Sequence, residues 1–184
     1  MSDLSTHDRS PLEGLQAPAG LGLSAAPAMA RYILRGREAA LKPVEDVLGF
    51  ALPREACRAA GADGRHALWL GPDEWLLLAP ADARLDRTLA FAIGDLPHSL
   101  VEVSHRQLGL TLEGAHAANT LNVGCPLDLT LDAFPVGMCT RTLVAKTEVV
   151  LWRTAPTCFH IEVWRSFSAY MWRYLVLSGA EFVS

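Results

Sequence analysis

Cysteine is scarce in this chain of 184 residues, and its four copies, Cys57, Cys125, Cys139 and Cys158, lie far apart. No CxxC pair occurs, which argues against a disulfide framework and against the usual ligand spacing of a zinc site; reduced thiols in a cytoplasm are expected. Long apolar runs are missing as well: none approaches the roughly 18 residues that a membrane span needs. The opening MSDLSTHDRSPLEGL has neither the basic head nor the apolar block of a signal peptide. Charge of one sign is not in excess, since 16 Lys and Arg are interspersed with 20 Asp and Glu for a net charge of −4. Without a basic face, nucleic acid is not expected as a partner.

Catalytic signatures are equally sparse. The six histidines (His7, His66, His98, His105, His116 and His160) include no pair at i, i+4 and no HExxH. Gly20-Leu21-Gly22 does not continue into a dinucleotide fingerprint, and no P-loop is present. Ser104 and His105 are neighbours, so on an extended segment they point to opposite faces and do not form a nucleophile–base pair. The carboxylates Glu102, Asp128, Asp132, Glu148 and Glu162 form no recognisable acid–base pair. His160 and Glu162 share a strand face whose default is contact with solvent or a partner. No catalytic, cofactor-binding or metal-binding residue is therefore assigned.

What the chain does have is apolar material: 51% hydrophobic against 20% charged residues, with a mean hydropathy of +0.20. That is toward the apolar end for a soluble domain, and the surplus points to a partner protein rather than to lipid. The length suits a single α+β domain over residues 30–184, with two related halves (about 30–125 and 126–184) as a further reading. Residues 1–29 carry Pro11, Pro18 and Pro27 without helical or strand period, and are expected to form a loose or extended arm.

Residues 30–35 read as a first strand and Glu38 to Leu41 as a short helix before Pro43. Residues 67–70 and 74–78 are strand-like runs around the turn Gly71-Pro72-Asp73. Asp82 is the expected cap of a helix with Leu85, Leu89, Ala92 or Ile93, and Leu96 on one face. Residues 99–103 and 107–113 look like further strands, followed by a short helix over 115–122. A hairpin followed by a helix recurs about 83 residues later, with Leu68-Trp69 matched by Leu151-Trp152. This layout favours antiparallel sheet with helices packed on one side.

The C-terminal block is the densest part. Phe159, Ile161 and Val163 alternate with Cys158, His160, Glu162 and Trp164 at the period of a strand. Ser166 is the expected helix cap. Phe167, Tyr170, Met171, Tyr174 and Leu175 then recur at helical spacing, while the other face reads Ala169, Trp172, Val176 and Leu177. A helix that is apolar nearly all round is usually covered on more than one side, and the second cover is expected from another protein. Isolated, the chain would hide it by self-association or by folding it inward. Core packing is the default for each tryptophan here; the alternative is an interface anchor, where Trp and Arg are enriched. Trp164, Arg165, Trp172 and Arg173 fit that role, and His105 and Arg106 are further contact candidates.

Five segments together resemble the gamma subunit of heterotetrameric sarcosine oxidase: LGPDEWLLL (70–78), VEVSHRQLGLTLEG (101–114), LNVGCPLDL (121–129), RTLVAKTEVVLWR (141–153) and FHIEVWRSFSAYMW (159–172). The resemblance spans about residues 30–180. It implies a fold similar to the folate-binding domain of the glycine-cleavage T-protein, and a complex with alpha, beta and delta subunits, chiefly alpha. It implies oxidative demethylation of sarcosine to glycine with hydrogen peroxide, the methyl group leaving as formaldehyde or methylenetetrahydrofolate. FAD, FMN, NAD, zinc and tetrahydrofolate are expected in the partner subunits and none in this chain. The alternatives are a free-standing tetrahydrofolate-dependent aminomethyl or methyl transferase, or a gamma subunit serving another N-methylated amine.

Overall fold

Side-chain alternation along the strands sorts residues between two destinations, and this sorting builds the molecule. The computed structural model describes residues 10–183. In β2 (Met29–Gly36), Ala30, Tyr32 and Leu34 face helices, while Arg31 and Ile33 face a second sheet. In β5 (Glu74–Pro80), Trp75, Leu77 and Ala79 face the helices, and Leu76 and Leu78 face inward. The turn at Pro72-Asp73 pairs β5 with β4 (Arg65–Gly71). With β3 (Ala59–Ala62) and β6 (His98–Glu102) these strands form one antiparallel sheet, ordered β3-β4-β5-β2-β6.

The second sheet holds β1 (Gly22–Ala25), β7 (Gln107–Glu113), β8 (Cys139–Val144), β9 (Thr147–Ala155) and β10 (Cys158–Trp164), ordered β1-β7-β10-β9-β8. The same alternation operates: Phe159, Ile161 and Val163 of β10 pack outward with Leu110, Leu112 and Leu151, and Val150 packs inward. Helices α1 (Glu38–Leu48) and α2 (Leu85–Ile93) cover the first sheet, while α3 (Ala117–Asn122) and α4 (Ser168–Gly179) cover the second. The result is four layers, helix–sheet–sheet–helix, with a thin seam of Leu68, Leu76, Leu78, Val103, Cys139 and Val150 between the sheets.

The chain is a duplication in topology. Strand, helix, three strands and helix occur as β2-α1-β3-β4-β5-α2 and again as β7-α3-β8-β9-β10-α4, and each set takes the same order in its sheet. In the first half β6 completes the sheet; in the second, β1 from the beginning of the chain takes that place. The halves therefore meet between residues 102 and 107, not near residue 125, and they are not independent in sequence.

The arm, expected to be loose or extended, is extended and packed where it meets the second half. Over its described part it carries β1, paired with β7 from Gly22↔Glu113 to Ala25↔Leu110. Leu12, Leu21 and Leu23 enter the core of the second half. Leu21 fits because Gly179 of α4 has no side chain; a Cβ there would lie 2.6 Å from Leu21 Cδ1. Residues 1–9 of the arm, with His7, lie outside the described residues.

Helix ends depart from expectation. α1 runs on through Pro43 to Leu48, because Leu41, Val44 and Leu48 are buried along one face, and Gly49 closes it at φ 84°. Losing one backbone donor at a proline is offset by that burial. Asp82 does not cap α2, which starts after Arg84 in a left-handed conformation. Ser166 does not cap α4 either: residues Arg165–Phe167 form a tight turn, and the Ser168 hydroxyl donates to the Arg165 carbonyl at 2.8 Å. No helix among the described residues is long and apolar enough to cross a membrane.

Candidate functional site

The polar face of β10 is not turned to solvent or a partner. It lies in the seam, where β2 of the other sheet covers it. Arg31 donates from Nε to Glu162 Oε2 at 2.6 Å and from Nη2 to Oε1 at 3.0 Å. His160 Nε2 is 2.7 Å from Glu162 Oε1. Arg31 also donates to the Met29 carbonyl at 2.8 Å, and its backbone N–H donates to Ser104 Oγ at 2.9 Å. Gly109 of β7, opposite Glu162, makes room: a Cβ there would lie 2.9 Å from His160 Cε1 and 3.1 Å from Arg31 Nη2. The cluster extends through Trp152, edge-on to His160, to His66, whose ring is 4.9 Å from that of Trp152.

Burial acts to raise the Glu162 carboxyl, but the hydrogen bonds from His160 and Arg31 outweigh it and hold the group below the usual carboxylate range. Burial, and secondarily the nearby His160, push the His66 imidazole down. Both oxygens of Glu162 are engaged, one by Arg31 alone and one by Arg31 and His160. Such a carboxylate is a latch between sheets: removing one partner leaves a buried charge uncompensated. Burial also pushes the Cys139 thiol up to about 12, which keeps it protonated and inert. Among the described residues, no three His, Cys, Asp or Glu side chains gather as metal ligands.

A second feature is on the outside. From the end of β10 along α4, Trp164 (40% exposed), Phe167 (50%), Tyr170 (40%) and Leu177 (75%) form one stripe. Trp164 ends β10 and Phe167 lies in the turn before α4, while Tyr170 and Leu177, seven residues apart, share one face of the helix, and Tyr170 stacks on Tyr174. Arg173 is exposed beside them. Arg106 lies over the Trp164 ring, 4.7 Å from its centroid, and its carbonyl accepts from the Arg165 N–H at 2.8 Å.

The structure thus joins Trp164, Arg165 and Arg106 at one end of the stripe, with His105 exposed in the adjoining turn. It separates Trp172 from them. That side chain is 6% exposed and packs in the core with Met171 and Leu175. The faces of α4 divide differently from the expectation: Met171, Trp172 and Leu175 go inward, and Phe167, Tyr170 and Leu177 go out. Phe167, Tyr170 and Leu177 were not singled out as contact residues; the recurrence 164, 167, 170, 174, 177 was the signal.

Residues 36–181 match the model of the sarcosine oxidase, gamma subunit family. The sarcosine oxidase subunit gamma of Corynebacterium sp. (strain P-1) is 33% identical, over 96% of this chain and 92% of that one. The corresponding subunit of an Arthrobacter species is 31% identical over the same shares. Among solved structures, a chain of the heterotetrameric sarcosine oxidase from Corynebacterium sp. U-96 superposes with a TM-score of 0.89 at 31% identity, covering 96% of each chain. The glycine cleavage system aminomethyltransferase T of Bartonella henselae superposes with a TM-score of 0.63 at 14% identity. It covers 85% of this chain and 45% of that one, a likeness of fold alone.

Proposed function

The chain belongs to the sarcosine oxidase gamma subunit family, and from that premise we propose that it works without a catalytic centre of its own, by docking onto the alpha subunit. The observation that carries this reading is the stripe of Trp164, Phe167, Tyr170 and Leu177, exposed together along the end of β10 and α4. Trp, Tyr and Arg are the residues that dominate binding energy when a partner desolvates them, and Arg106, Arg165 and Arg173 rim the stripe. Other subunits are partners of this chain; alpha is the one that the stripe is proposed to meet, with beta and delta completing the complex.

In this reading the chain buries apolar surface of the folate-handling region of alpha and holds its geometry. The complex, in a cytoplasm, demethylates sarcosine to glycine with hydrogen peroxide and formaldehyde or methylenetetrahydrofolate as co-products. FAD, FMN, NAD, zinc and tetrahydrofolate belong to the partner subunits. The amine is chosen by another chain, so a different N-methylated amine would leave the role of this one unchanged.

Co-expression with alpha, beta and delta, followed by size-exclusion chromatography with an absorbance trace, tests the reading. Stoichiometric elution with a yellow flavoprotein is expected, with no flavin on the isolated chain. Elution as a separate colourless species from a mixture whose other subunits assemble would overturn it.

A further inference from the structure

Natural sheets blunt their outer strands by keeping them short, charging them or bending them away. β1 and β3 span four residues each, and β8 carries Arg141. β6 has no such protection: His98-Ser99-Leu100-Val101-Glu102 contains no lysine, proline or bulge. Its outer side pairs with no strand among the described residues. The pairing with β2 fixes which backbone groups that side offers. The Val103 N–H donates to the Arg31 carbonyl at 2.8 Å. Alternation then turns the backbone groups of Ser99 and Val101 to β2, and those of His98, Leu100 and Glu102 outward. Apolar groups flank this edge: Val101 and Leu96 are exposed, and Phe91 of α2, the helix packed beside β6, is 91% exposed.

We propose that β6 pairs with β6 of a second copy of this chain, antiparallel about a twofold axis at Leu100, so that the first sheet runs on from one copy into the other. The occupant and the register follow from the charges of the strand itself. Centred on Leu100, the pairing sets His98 opposite Glu102 of the other copy, twice by symmetry and on the same face of the sheet. Centring on His98 or on Glu102 would set like groups opposite each other, and centring on Ser99 or Val101 would leave both charges facing Leu100. In the Leu100 register the outward backbone groups also meet, each Leu100 N–H donating to the Leu100 carbonyl of the other copy. A facing carboxylate favours the imidazolium form of His98. That form can donate from Nδ1 to the Leu96 carbonyl, 2.7 Å away, and from Nε2 to Glu102 of the other copy. The α4 stripe lies on the helix layer of the second sheet, so this contact goes beyond the docking reading and leaves its face free.

Sedimentation equilibrium of the full chain over a wide range of concentration tests the pairing. A monomer–dimer equilibrium is expected. His98→Glu and Glu102→Lys each set like charges opposite one another and should weaken the dimer about tenfold. Both positions are exposed, so the melting temperature of the diluted monomer should not move. The double variant carrying His98→Glu with Glu102→Lys restores unlike pairs and should restore the dimer, which only a second copy of the same strand can do. A chain that stays monomeric up to millimolar concentration overturns the proposal, as does a dimer that the single variants leave intact or that the double variant fails to restore. Weaker assembly of the single variants with the remaining subunits, with no dimer of the unaltered chain, would give the edge to another subunit and overturn it too. None of these results bears on the α4 stripe, whose own test is co-elution.

Discussion

Arg31 and Glu162 stand 131 residues apart in the chain, yet the guanidinium holds both carboxylate oxygens across the seam between the sheets, at 2.6 and 3.0 Å. Each belongs to a different half of the duplication, and the pair is among the few polar contacts in a seam that is otherwise apolar.

Removing one member should therefore be worse than removing both. Arg31→Met strands a buried carboxylate and is expected to cost about 3–5 kcal/mol. The double variant Arg31→Met with Glu162→Leu should recover most of that loss, because two apolar groups of similar volume need no compensation. Urea unfolding of the four chains gives the coupling directly. Additive effects would show that the pair is not a latch.

The pH dependence has a definite sign. The carboxyl of Glu162 is held below its ordinary 4.5 in the folded chain. The unfolded chain thus binds more protons below that value, so this stabilisation is complete above about pH 4.5 and is lost as pH falls through the depressed folded value. His66 is pushed below its ordinary 6.5, so the unfolded chain takes up a proton that the folded one resists, and stability also falls as pH drops below 6.5. Urea midpoints should be flat above neutrality and decline in two limbs. Glu162→Gln should remove the acid limb and His66→Gln the milder one; a midpoint flat down to about pH 5 would contradict the His66 limb, and one flat from there to about pH 3 would contradict the Glu162 limb.

On the outer face, exposure and burial separate assembly from folding. Phe167→Ala and Tyr170→Ala should leave the melting temperature of the isolated chain in place and weaken assembly by about 2 kcal/mol each if they are anchors. Trp172→Ala should instead destabilise the chain itself by about 3–5 kcal/mol, as a core truncation does. Paired calorimetry and binding would expose a failure if Phe167 and Tyr170 lowered stability and left binding untouched.

Gly179 governs how the beginning of the chain is held. Gly179→Val should push Leu21 off α4 and loosen β1, since the new side chain takes its place. Limited proteolysis around Gly14 and Gly20 should accelerate severalfold, while protection of β9 and β10 persists. An unchanged cleavage rate would mean that β1 is held by its pairing with β7 alone.

Much of the secondary structure was legible in the sequence. The turn Gly71-Pro72-Asp73, the alternation over Phe159–Val163 and the recurrence of a hairpin and helix 83 residues apart each correspond to a real element. Local periodicity carries such information because strand and helix faces are set by spacing within a few residues. Helix starts were less legible. Asp82 and Ser166 have capping chemistry, but the left-handed backbone of Arg84 and the tight turn at Arg165–Phe167 moved the helices past them.

What the sequence alone determined is the kind of molecule: an antiparallel α+β chain of one family, with more apolar surface on its last helix than one core can use. Tertiary structure alone decided which faces those residues present. A strand in a four-layer stack is buried on both sides, so the alternating His160 and Glu162 look like a surface face until β2, more than a hundred residues earlier, closes over them. For the same reason β1 could not be read: its sequence has no strand period of its own, and the chain is held there by pairing with β7 and by the space that Gly179 leaves. Contacts between distant segments, and not local propensity, placed the ion cluster inside and the aromatic stripe outside.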